Sequence, residues 1–431
     1  MMHDTHPREV CDDAIRSALI RRVDLCGLSP AMVVGTVDAG RQRFISHGWA
    51  SAAGAEANEN TLFEIGSVTK LFTAIVLADM AGRGEAALDD PVAALLPGGT
   101  VVPEHDGHAI TLAQLATHTS GLPRLPADIT VGAPDPHANY TADRLYAFLA
   151  GHRLSRKPGA DYEYSNLGAG LLGHALARRA GLDYEAMIRR RILAPLGMTS
   201  TAVALPPALA ARLATGHNDS LDPVSNWDLG VLAGAGGLRS SAADLLLFVE
   251  ALMDPGSPIG AAAAMLMAPR PAGGLGLGES MSEGHVVLQH EGGTGGFRSH
   301  VGCVPAWRRG AVVLANAATG AAADLGVHLC DPRWAMQWYR QPVEIDPRHF
   351  DRLLGCYRIS PDMLFDVTRA DDRLMVQLTG QPAFRVFPLS EWQMFYKVVG
   401  AQITFEPGPD GRAVRLVLHQ NSRDQIAERI D

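Results

Sequence analysis

The chain has 431 residues, of which 47% are hydrophobic and 19% charged, and its formal net charge at pH 7 is −9. This length predicts two globular domains, and the acidic balance argues against nucleic acid or an anionic membrane as a partner. The 5 cysteines include no C-x-x-C pair, so the sequence predicts neither a disulfide framework nor a zinc site.

The N-terminal region has no basic segment leading into an apolar run, and no stretch of about 18 uncharged apolar residues occurs in the chain. We therefore expect no signal peptide and no membrane span, which by default predicts a cytoplasmic protein. The residue pattern predicts a helix from Val10 to Cys26 and strands from Ala31 to Val37 and from Gln42 to Ala50.

A serine and a lysine open the next predicted element, a helix from Ser67 to Gly82. Ser67 and Lys70 are three positions apart, so they lie one turn apart on the same helix face. Beyond Lys70 the helix is apolar on nearly every side, which is typical of a buried helix. Burial lowers the pKa of an amine, and a neutral amine can accept the proton of a serine and turn it into a nucleophile.

The pattern of residues 84–260 predicts mainly helices, interrupted by Pro/Gly-rich loops at 97–109 and 123–138. The second loop is a candidate wall of a substrate pocket. The first contains His105-x-x-His108, but no third ligand lies at a spacing known for zinc, so we expect no bound metal.

A Tyr164-Ser-Asn166 sequence follows a Pro-Gly turn and precedes an apolar helix from Leu167 to Ala180. Tyr164 and Asn166 are therefore expected on a loop directly before that helix. Each also fits a purely structural role, Tyr164 as a packed aromatic side chain and Asn166 as the N-cap of the helix.

A glycine-rich segment, His290-Glu-Gly292-Gly293-Thr-Gly-Gly, lies between predicted strands at His285–Leu288 and Ser299–Cys303. Glycine allows a backbone to approach a ligand closely. The structural alternatives are a histidine at the end of a strand and an ordinary turn.

Taken together and in this order, the motifs S-x-x-K, Y-x-N and H-x-G resemble those of the serine penicillin-recognising superfamily. The chain is most similar to the class C β-lactamase-related branch, which contains esterases, D-aminopeptidases and penicillin-binding-protein-like DD-peptidases. Two further family-like segments are Gln114–Leu122 and Gly236–Asp244, and the resemblance covers roughly residues 10–335.

The resemblance implies acyl-transfer chemistry. Ser67 would attack a carbonyl and form an acyl-enzyme, and Lys70 would take or relay its proton. Tyr164 would pass a proton to the leaving group and then activate the incoming water or amine. The reference pKa of a phenol is near 10, so Tyr164 needs cationic neighbours, for which we expect Lys70 and His290.

The resemblance also implies the binding residues. The backbone N–H groups of Ser67 and Gly293 would form an oxyanion hole, with Gly292 beside them. Asn166 would hold the catalytic lysine and the acyl-side amide of the substrate. His290 would line the site and hydrogen-bond the catalytic tyrosine or a substrate oxygen.

The predicted fold of residues 1–338 is α+β. It has an antiparallel sheet of the β-lactamase/transpeptidase type that contains both ends of the domain, flanked by helices and carrying an all-helical insertion. Strands at about 285–316 and a helix from Thr319 to Leu329 complete the domain. The cleft is expected between sheet and insertion, where the Ser67 helix begins.

Residues 339–431 predict a small C-terminal antiparallel β-barrel, because short strands alternate there with turn signals. This segment resembles the lipocalin-like domain attached to some cytoplasmic enzymes of the superfamily. A barrel of this size has little spare interior, so we expect a structural or homo-oligomerisation module rather than a ligand site. The expected strands are Phe365–Val367, Leu374–Leu378, Phe384–Pro388, Gln393–Val399, Gln402–Phe405 and Val414–His419.

Relatives that hydrolyse penicillins usually carry lysine at the position of His290. Histidine is mostly neutral at pH 7, and Glu291 adds negative charge, so both disfavour a substrate carboxylate. The prediction is a serine hydrolase that needs no cofactor and acts on small-molecule or short peptide esters or amides, as an esterase or D-aminopeptidase-like enzyme. Three alternatives stay open: a thioesterase or peptide cyclase that transfers the acyl group to an amine, a β-lactamase, and a scaffold without activity.

Overall fold

The computed structural model describes residues 7–130, 134–268, 274–276, 278–282 and 285–431, so part of the predicted 123–138 loop lies outside the described residues. The strands are β1 (Ala31–Asp38), β2 (Arg41–Gly48), β3 (Phe63–Glu64), β4 (Arg239–Ser240), β5 (Gly278–Ser282), β6 (His285–Gly293), β7 (Arg298–Val304), β8 (Arg309–Ala315), β9 (Gly355–Ser360), β10 (Met363–Ala370), β11 (Arg373–Leu378), β12 (Ala383–Pro388), β13 (Gln393–Phe395), β14 (Ala401–Pro407), β15 (Ala413–Gln420) and β16 (Arg423–Arg429). The α-helices are α1 (Asp12–Ile20), α2 (Thr69–Gly82), α3 (Leu112–Ala116), α4 (Ala142–Gly151), α5 (Asn166–Ala180), α6 (Tyr184–Ile188), α7 (Ala194–Leu196), α8 (Pro207–Ala210), α9 (Ala242–Met253), α10 (Gly260–Met267) and α11 (Ala323–Cys330). Turns of 3₁₀-helix lie at Gly66–Val68, Val92–Leu95, Gly230–Ala235, Pro305–Trp307 and Pro347–Arg352, and π-helical turns at Arg21–Leu25 and Arg189–Leu193.

An antiparallel sheet in the order β2-β1-β8-β7-β6-β5 is the framework of the first domain. Side chains alternate along β1, so Val33 and Val37 lie in the core under α9, and Met32 and Val34 lie in the core under α1 and α11. A strand that is buried on both faces needs this continuous apolar sequence. Both ends of the domain contribute strands to the sheet, which confirms the predicted fold class.

The insertion is mainly helical, as predicted, and α2 lies at its centre with buried residues on nearly every side. Phe72 of α2 stacks on Phe248 of α9, with ring centroids 4.1 Å apart. One correction concerns β4, which interrupts the helices and pairs with β3. Arg239 of β4 contacts Glu64 of β3 at 3.3 Å, so this short ladder fixes the chain immediately before Ser67.

Strand β6 continues past its predicted end at Leu288 as far as Gly293, and its ladder with β7 includes both glycines. Gly292 and Gly293 are therefore strand residues, and the alternative of an ordinary turn holds only for the residues that follow them. The physical reason is space, because a β-carbon on Gly292 would lie 2.0 Å from the carbonyl oxygen of Ile65. Only glycine lets this strand reach the segment before Ser67.

Two predicted helices have different bounds in the structure. The helix predicted from Val10 to Cys26 is the short α1 followed by a π-helical turn. The helix predicted from Thr319 begins at Ala323. Strand β5 was not predicted from the sequence.

The C-terminal segment forms a closed antiparallel barrel in the order β10-β11-β12-β13-β14-β15-β16-β9. The expected strands are present with bounds that differ by a few residues. The sequence pattern missed β9 and β16, which pair with each other and close the barrel. The one buried residue of β16 is Ala427, so this strand lacks the apolar alternation that marks a strand in a sequence.

Polar contacts join the barrel to the first domain. Arg373 of β11 forms an ion pair with Asp222, with an N–O distance of 2.5 Å. Lys397 donates a hydrogen bond to the carbonyl oxygen of Gly27 at 2.8 Å. Among the helices of the described residues, none is both long and apolar enough to cross a membrane.

Candidate active site

The turn before α2 places Ser67 against the glycines of β6. Gly66 has a φ of +49°, and a β-carbon on it would lie 2.6 Å from the backbone nitrogen of Gly293. Both the left-handed conformation and the close contact therefore require glycine at position 66. Ser67 lies in the first helical turn, where backbone N–H groups have no partner inside the helix. The turn thus brings the N–H groups of Ser67 and Gly293 to the same part of the cleft.

Lys70 is buried beside Ser67, with 3% of its surface exposed. Its Nζ lies 2.9 Å from Ser67 Oγ, 2.8 Å from Asn166 Oδ1 and 2.6 Å from the carbonyl oxygen of Ala235. Burial is the main cause that holds the pKa of Lys70 well below its usual value, and the positive charge of Arg124 lowers this pKa further. Burial therefore favours the neutral form of the Lys70 amine.

The partners of Lys70 fix the direction of its lone pair. The side-chain oxygen of Asn166 and the carbonyl oxygen of Ala235 can only accept hydrogen bonds. They take both N–H bonds of the neutral amine, so the lone pair faces the remaining partner, the hydroxyl of Ser67. This arrangement is the one needed to remove the serine proton.

Tyr164 contacts the same hydroxyl from its other side and donates a hydrogen bond to Ser67 Oγ at 2.7 Å. Burial raises the pKa of Tyr164, while the Ser67 hydrogen bond and the charge of Arg124 lower it by smaller amounts. The phenol is therefore protonated in the resting site. Lys70 Nζ lies 4.9 Å and the Arg124 guanidinium 5.1 Å from the centroid of the Tyr164 ring.

His290 lies at the site but does not supply the expected positive charge. Burial, and then the neighbouring Lys70, lower the pKa of His290 to about 4. Its Nδ1 donates to the carbonyl oxygen of Glu291 at 2.7 Å, which leaves Nε2 as the acceptor of the neutral ring. The expectation that His290 is a cationic neighbour of Tyr164 is wrong, and Arg124 has that position instead.

Asn166 is free to hold Lys70 because it is not the N-cap of α5. The N-cap is Ser165, whose Oγ accepts a hydrogen bond from the backbone N–H of Gly168 at 2.8 Å. Asn166 is the first residue of the helix, and its side chain bonds to Lys70. The structural alternative for Asn166 is therefore wrong, although the residue does lie at the start of the helix.

His118 supports Tyr164 and was not among the predicted site residues. It has a φ of +57°, and its Nδ1 accepts a hydrogen bond from the backbone N–H of Ser165 at 3.1 Å. The ring centroids of His118 and Tyr164 are 4.4 Å apart. Burial, followed by the charge of Lys70, lowers the pKa of His118 to about 3. A neutral ring in a strained backbone thus holds the tyrosine in place.

The site residues that the sequence analysis did not name differ in how well a sequence pattern could have revealed them. His118 lies inside the family-like segment Gln114–Leu122, so that motif contained the information. Arg124 follows the segment closely, but its contact with the Tyr164 ring depends on the fold. The carbonyl oxygen of Ala235 has no side-chain signal at all. Among the described residues, no group of three or more His, Cys, Asp or Glu side chains is arranged to hold a metal ion.

Comparisons with known proteins cover the first domain. A family model described as "Beta-lactamase" matches residues 23–327. A beta-lactamase from Pseudomonas fluorescens is 28% identical over 252 residues, which are 58% of this chain and 66% of that protein. The D-alanyl-D-alanine-carboxypeptidase/endopeptidase AmpH of Escherichia coli (strain K12) is 28% identical over 276 residues, or 59% of this chain and 71% of that protein. The chain thus spans slightly less than two thirds of the Pseudomonas relative.

A solved structure agrees with the fold. The crystal structure of a class C beta lactamase from Rhodobacter sphaeroides matches with a TM-score of 0.60 at 27% identity, over 71% of this chain and 93% of that one. The barrel strands all follow residue 327, where the family match ends.

Proposed function

The chain belongs to the beta-lactamase family, and on that premise we propose that it is a serine hydrolase that cleaves ester or amide bonds through an acyl-Ser67 intermediate. The observation that carries the proposal is the hydrogen-bonded row Tyr164–Ser67–Lys70, with oxygen–oxygen and nitrogen–oxygen distances of 2.7 and 2.9 Å. This row contains a nucleophile, a neutral base and a protonated acid in contact.

Acylation begins when Ser67 Oγ attacks the substrate carbonyl and its proton passes to the lone pair of Lys70. The oxygen of the tetrahedral intermediate accepts hydrogen bonds from the N–H groups of Ser67 and Gly293. Removing one such donor typically lowers a rate by about 10²–10³-fold. The bond to the leaving group then breaks, and Tyr164 gives its proton to the departing oxygen or nitrogen.

Deacylation returns each proton to its origin. Once protonated, Lys70 is a cation beside the Tyr164 ring, and together with Arg124 it stabilises the tyrosinate. The tyrosinate takes a proton from water, and the resulting hydroxide attacks the acyl carbonyl. Lys70 then gives its proton back to Ser67 Oγ as the acid product leaves. No protons are gained or lost over the cycle.

We propose substrates without a carboxylate near the scissile bond, as for an esterase or a D-aminopeptidase-like enzyme. His290 is neutral at pH 7 because burial lowers its pKa to about 4, so it offers no positive charge to a carboxylate. Its unprotonated Nε2 can instead accept a hydrogen bond from a substrate N–H or O–H group.

A β-lactamase is the second candidate function, and Arg124 is the observation that favours it. Its guanidinium is exposed at the edge of the site, 5.1 Å from the centroid of the Tyr164 ring. Among the ion pairs of the described residues, Arg144 and Arg156 are paired with carboxylates and Arg124 is not. The Pseudomonas fluorescens relative is named a beta-lactamase.

The test compares p-nitrophenyl acetate with a chromogenic cephalosporin on the full chain, with Ser67→Ala as the matched control. We expect hydrolysis of the ester by the wild type, loss of that activity in Ser67→Ala and slower turnover of the cephalosporin. Undiminished ester hydrolysis by folded Ser67→Ala would contradict the proposal. A cephalosporin turned over faster than the ester would favour the second candidate.

A further inference from the structure

An arginine closes the turn between β6 and β7, which follows directly after one of the two N–H groups of the proposed oxyanion hole. Arg298 is the first residue of β7 and pairs with Gly293 across the ladder. Its Nη1 donates hydrogen bonds to the carbonyl oxygen of Thr294 at 3.0 Å and to that of Phe297 at 2.9 Å. One guanidinium therefore ties the two ends of the turn together.

The same guanidinium packs on the backbone of Gly293. A β-carbon on Gly293 would lie 2.8 Å from Nη1 of Arg298, so the two groups are in direct contact. The pair of Gly293 and Arg298 is also the last of the β6–β7 ladder, and the end of a ladder is where strand pairing alone holds a backbone least firmly. The side chain of Arg298 thus supports the N–H of Gly293 where the sheet does not.

A carboxylate from another segment keeps this arginine in place. Arg298 is half-buried, and burial lowers its pKa, whereas the negative charges of Asp219 and then Glu291 raise it. The charge of Asp219 therefore stabilises the guanidinium beneath the turn.

Asp219 belongs to the 218–222 loop, which is folded on itself and packs against the turn. Asn218 Oδ1 accepts hydrogen bonds from the backbone N–H groups of Ser220 and Asp222, both at 2.9 Å. The N–H of His217, directly before the loop, donates to the carbonyl oxygen of Gly296 at 3.1 Å. These contacts join the loop to the turn that Arg298 closes.

The C-terminal barrel holds the same loop at two positions. Arg373 of β11 forms its ion pair with Asp222, and Nη1 of Arg385 in β12 donates to the carbonyl oxygen of Ser220 at 3.4 Å. A continuous series of contacts thus runs from the barrel through the 218–222 loop to Arg298 and Gly293.

We propose that Arg298 is a positioning residue that holds the N–H of Gly293 in the oxyanion hole, and that the barrel supports Arg298 through the 218–222 loop. The inference rests on the proposed function, because the N–H of Gly293 has this use only if Ser67 is acylated. It gives the barrel a part in catalysis without requiring a barrel side chain at the reacting atoms.

The first experiment compares Arg298→Met with the wild type as full chains. It measures kcat/KM for p-nitrophenyl acetate and the inhibition constant of phenylboronic acid, which forms a reversible tetrahedral adduct with a nucleophilic serine and places an oxygen in the oxyanion hole. We expect kcat/KM and the affinity for the boronic acid each to fall by about 10–100-fold, somewhat less than for complete removal of a donor.

The matched control is Arg22→Met. Arg22 is another arginine of the first domain that donates to a backbone carbonyl, that of Ala321 at 2.7 Å. Its loss should lower the stability of the fold and leave both kcat/KM and the boronic acid affinity of the folded protein unchanged. If Arg298→Met does not fold, Asp219→Asn takes its place, since it removes the charge that stabilises Arg298, and both quantities should again fall together.

A second experiment tests the contribution of the barrel. Arg373→Met should lower kcat/KM by about 2–30-fold, the range that one residue in a coupled network carries. Its control is Arg369→Met, which breaks an ion pair with Asp351 inside the barrel and should have no effect. The side chains of Arg373 and Arg369 are 33% and 35% exposed, so the two substitutions are comparable. In the Arg298→Met background, Arg373→Met should cause no further loss, because both act through the same N–H.

The outcomes separate this inference from the proposed function. Unchanged kcat/KM in the folded Arg298 or Asp219 variant overturns the positioning role and leaves the hydrolase proposal in place, and so does a loss of kcat/KM without a loss of boronic acid affinity. Equal values for Arg373→Met and Arg369→Met, or additive losses in the double variant, overturn the part assigned to the barrel. A wild type that neither hydrolyses the ester nor binds the boronic acid overturns the hydrolase proposal and this inference with it.

Discussion

Two buried lysines, one at the active site and one at the junction with the barrel, have similar surroundings and different partners. Lys70 is 3% and Lys397 is 6% exposed. For both, burial is the largest cause of a lowered pKa, and an arginine is the next: Arg124 beside Lys70 and Arg385 beside Lys397. The pKa of Lys397 is lowered to about 8.

The partners determine what each amine can do. Lys70 contacts the hydroxyl of Ser67, which can give it a proton. Lys397 contacts the carbonyl oxygen of Gly27 at 2.8 Å and lies 4.0 Å from the centroid of the Phe387 ring. Neither of these groups has a proton to transfer. A lowered pKa therefore reflects burial at both lysines. Only Lys70 also contacts a group that can give it a proton, so only Lys70 can act as a catalytic base.

The strongest test of this contrast replaces each lysine by methionine. Lys70→Met should lower kcat/KM for p-nitrophenyl acetate by about 10⁴-fold, because the proton of Ser67 loses its acceptor. Lys397→Met should leave the rate within about 2-fold, since its amine contacts no reacting group. Steady-state assays on both purified variants measure kcat/KM. Equal losses of kcat/KM in the two variants would contradict the distinction between a catalytic and a structural lysine.

A second test removes the proton donor. Tyr164→Phe should lower kcat/KM by about 10²–10³-fold, because the leaving group departs without general acid help. Tyr396→Phe is the control, as it removes a half-buried phenol next to Lys397. The loss of kcat/KM in Tyr164→Phe should shrink for esters with better leaving groups, and a loss of kcat/KM that does not vary with the leaving group would contradict the role of Tyr164 as the general acid of acylation.

A third test replaces the arginine beside each lysine and follows how kcat/KM depends on pH. Activity requires neutral Lys70, so the acid limb of the kcat/KM profile reports its pKa. The charge of Arg124 lowers that pKa, so Arg124→Gln should raise it and move the acid limb to higher pH. Arg385→Gln should not move the limb.

Salt offers a check within the same experiment. Arg124 is exposed, so high salt should screen its charge and move the wild-type limb toward that of Arg124→Gln. An Arg124→Gln limb that coincides with the wild type at low salt would show that this charge does not act on the base.

The smallest effect concerns stability at the barrel junction. The pKa of Lys397 is depressed to about 8 in the folded state, so between about pH 8 and 10.5 the unfolded chain binds more protons. The free energy of unfolding should therefore rise across this range, by about 3 kcal/mol in total from this group. The penalty of the buried charge is fully present below pH 8.

Denaturant unfolding at pH 7, 8, 9 and 10 measures this effect. Lys397→Met should lack the part of the rise that comes from the lysine, so the difference between wild type and variant should shrink as pH increases. A difference that is constant with pH would contradict a depressed pKa at Lys397.

The sequence alone identifies the site residues that lie close together along the chain. It does not identify the groups that only the fold brings into the site. Ser67 and Lys70 could be predicted because their spacing within one helix turn is a local property. Tyr164 and Asn166 lie far along the chain and could be placed only through the family resemblance. The carbonyl oxygen of Ala235 completes the lysine cage, and a backbone group gives no sequence signal.

The strands can be divided in the same way, into those that the local sequence predicts and those that depend on tertiary contacts. The strands with regular apolar alternation, such as Ala31–Asp38, were predicted with nearly correct bounds. Strand Arg423–Arg429 was missed because barrel closure, rather than its own composition, makes it a strand. The continuation of β6 to Gly293 depends on contact with the turn at Gly66, which no local pattern contains.

The most direct test of the central claim is the intact mass of the protein after brief exposure to p-nitrophenyl acetate, followed by mapping of the modified peptide. The account predicts one acetyl group on Ser67 in the wild type and in Lys397→Met, and none in Ser67→Ala. Release of p-nitrophenol with the acetyl group on another residue, or with no acyl-enzyme in a deacylation-limited assay, would contradict it.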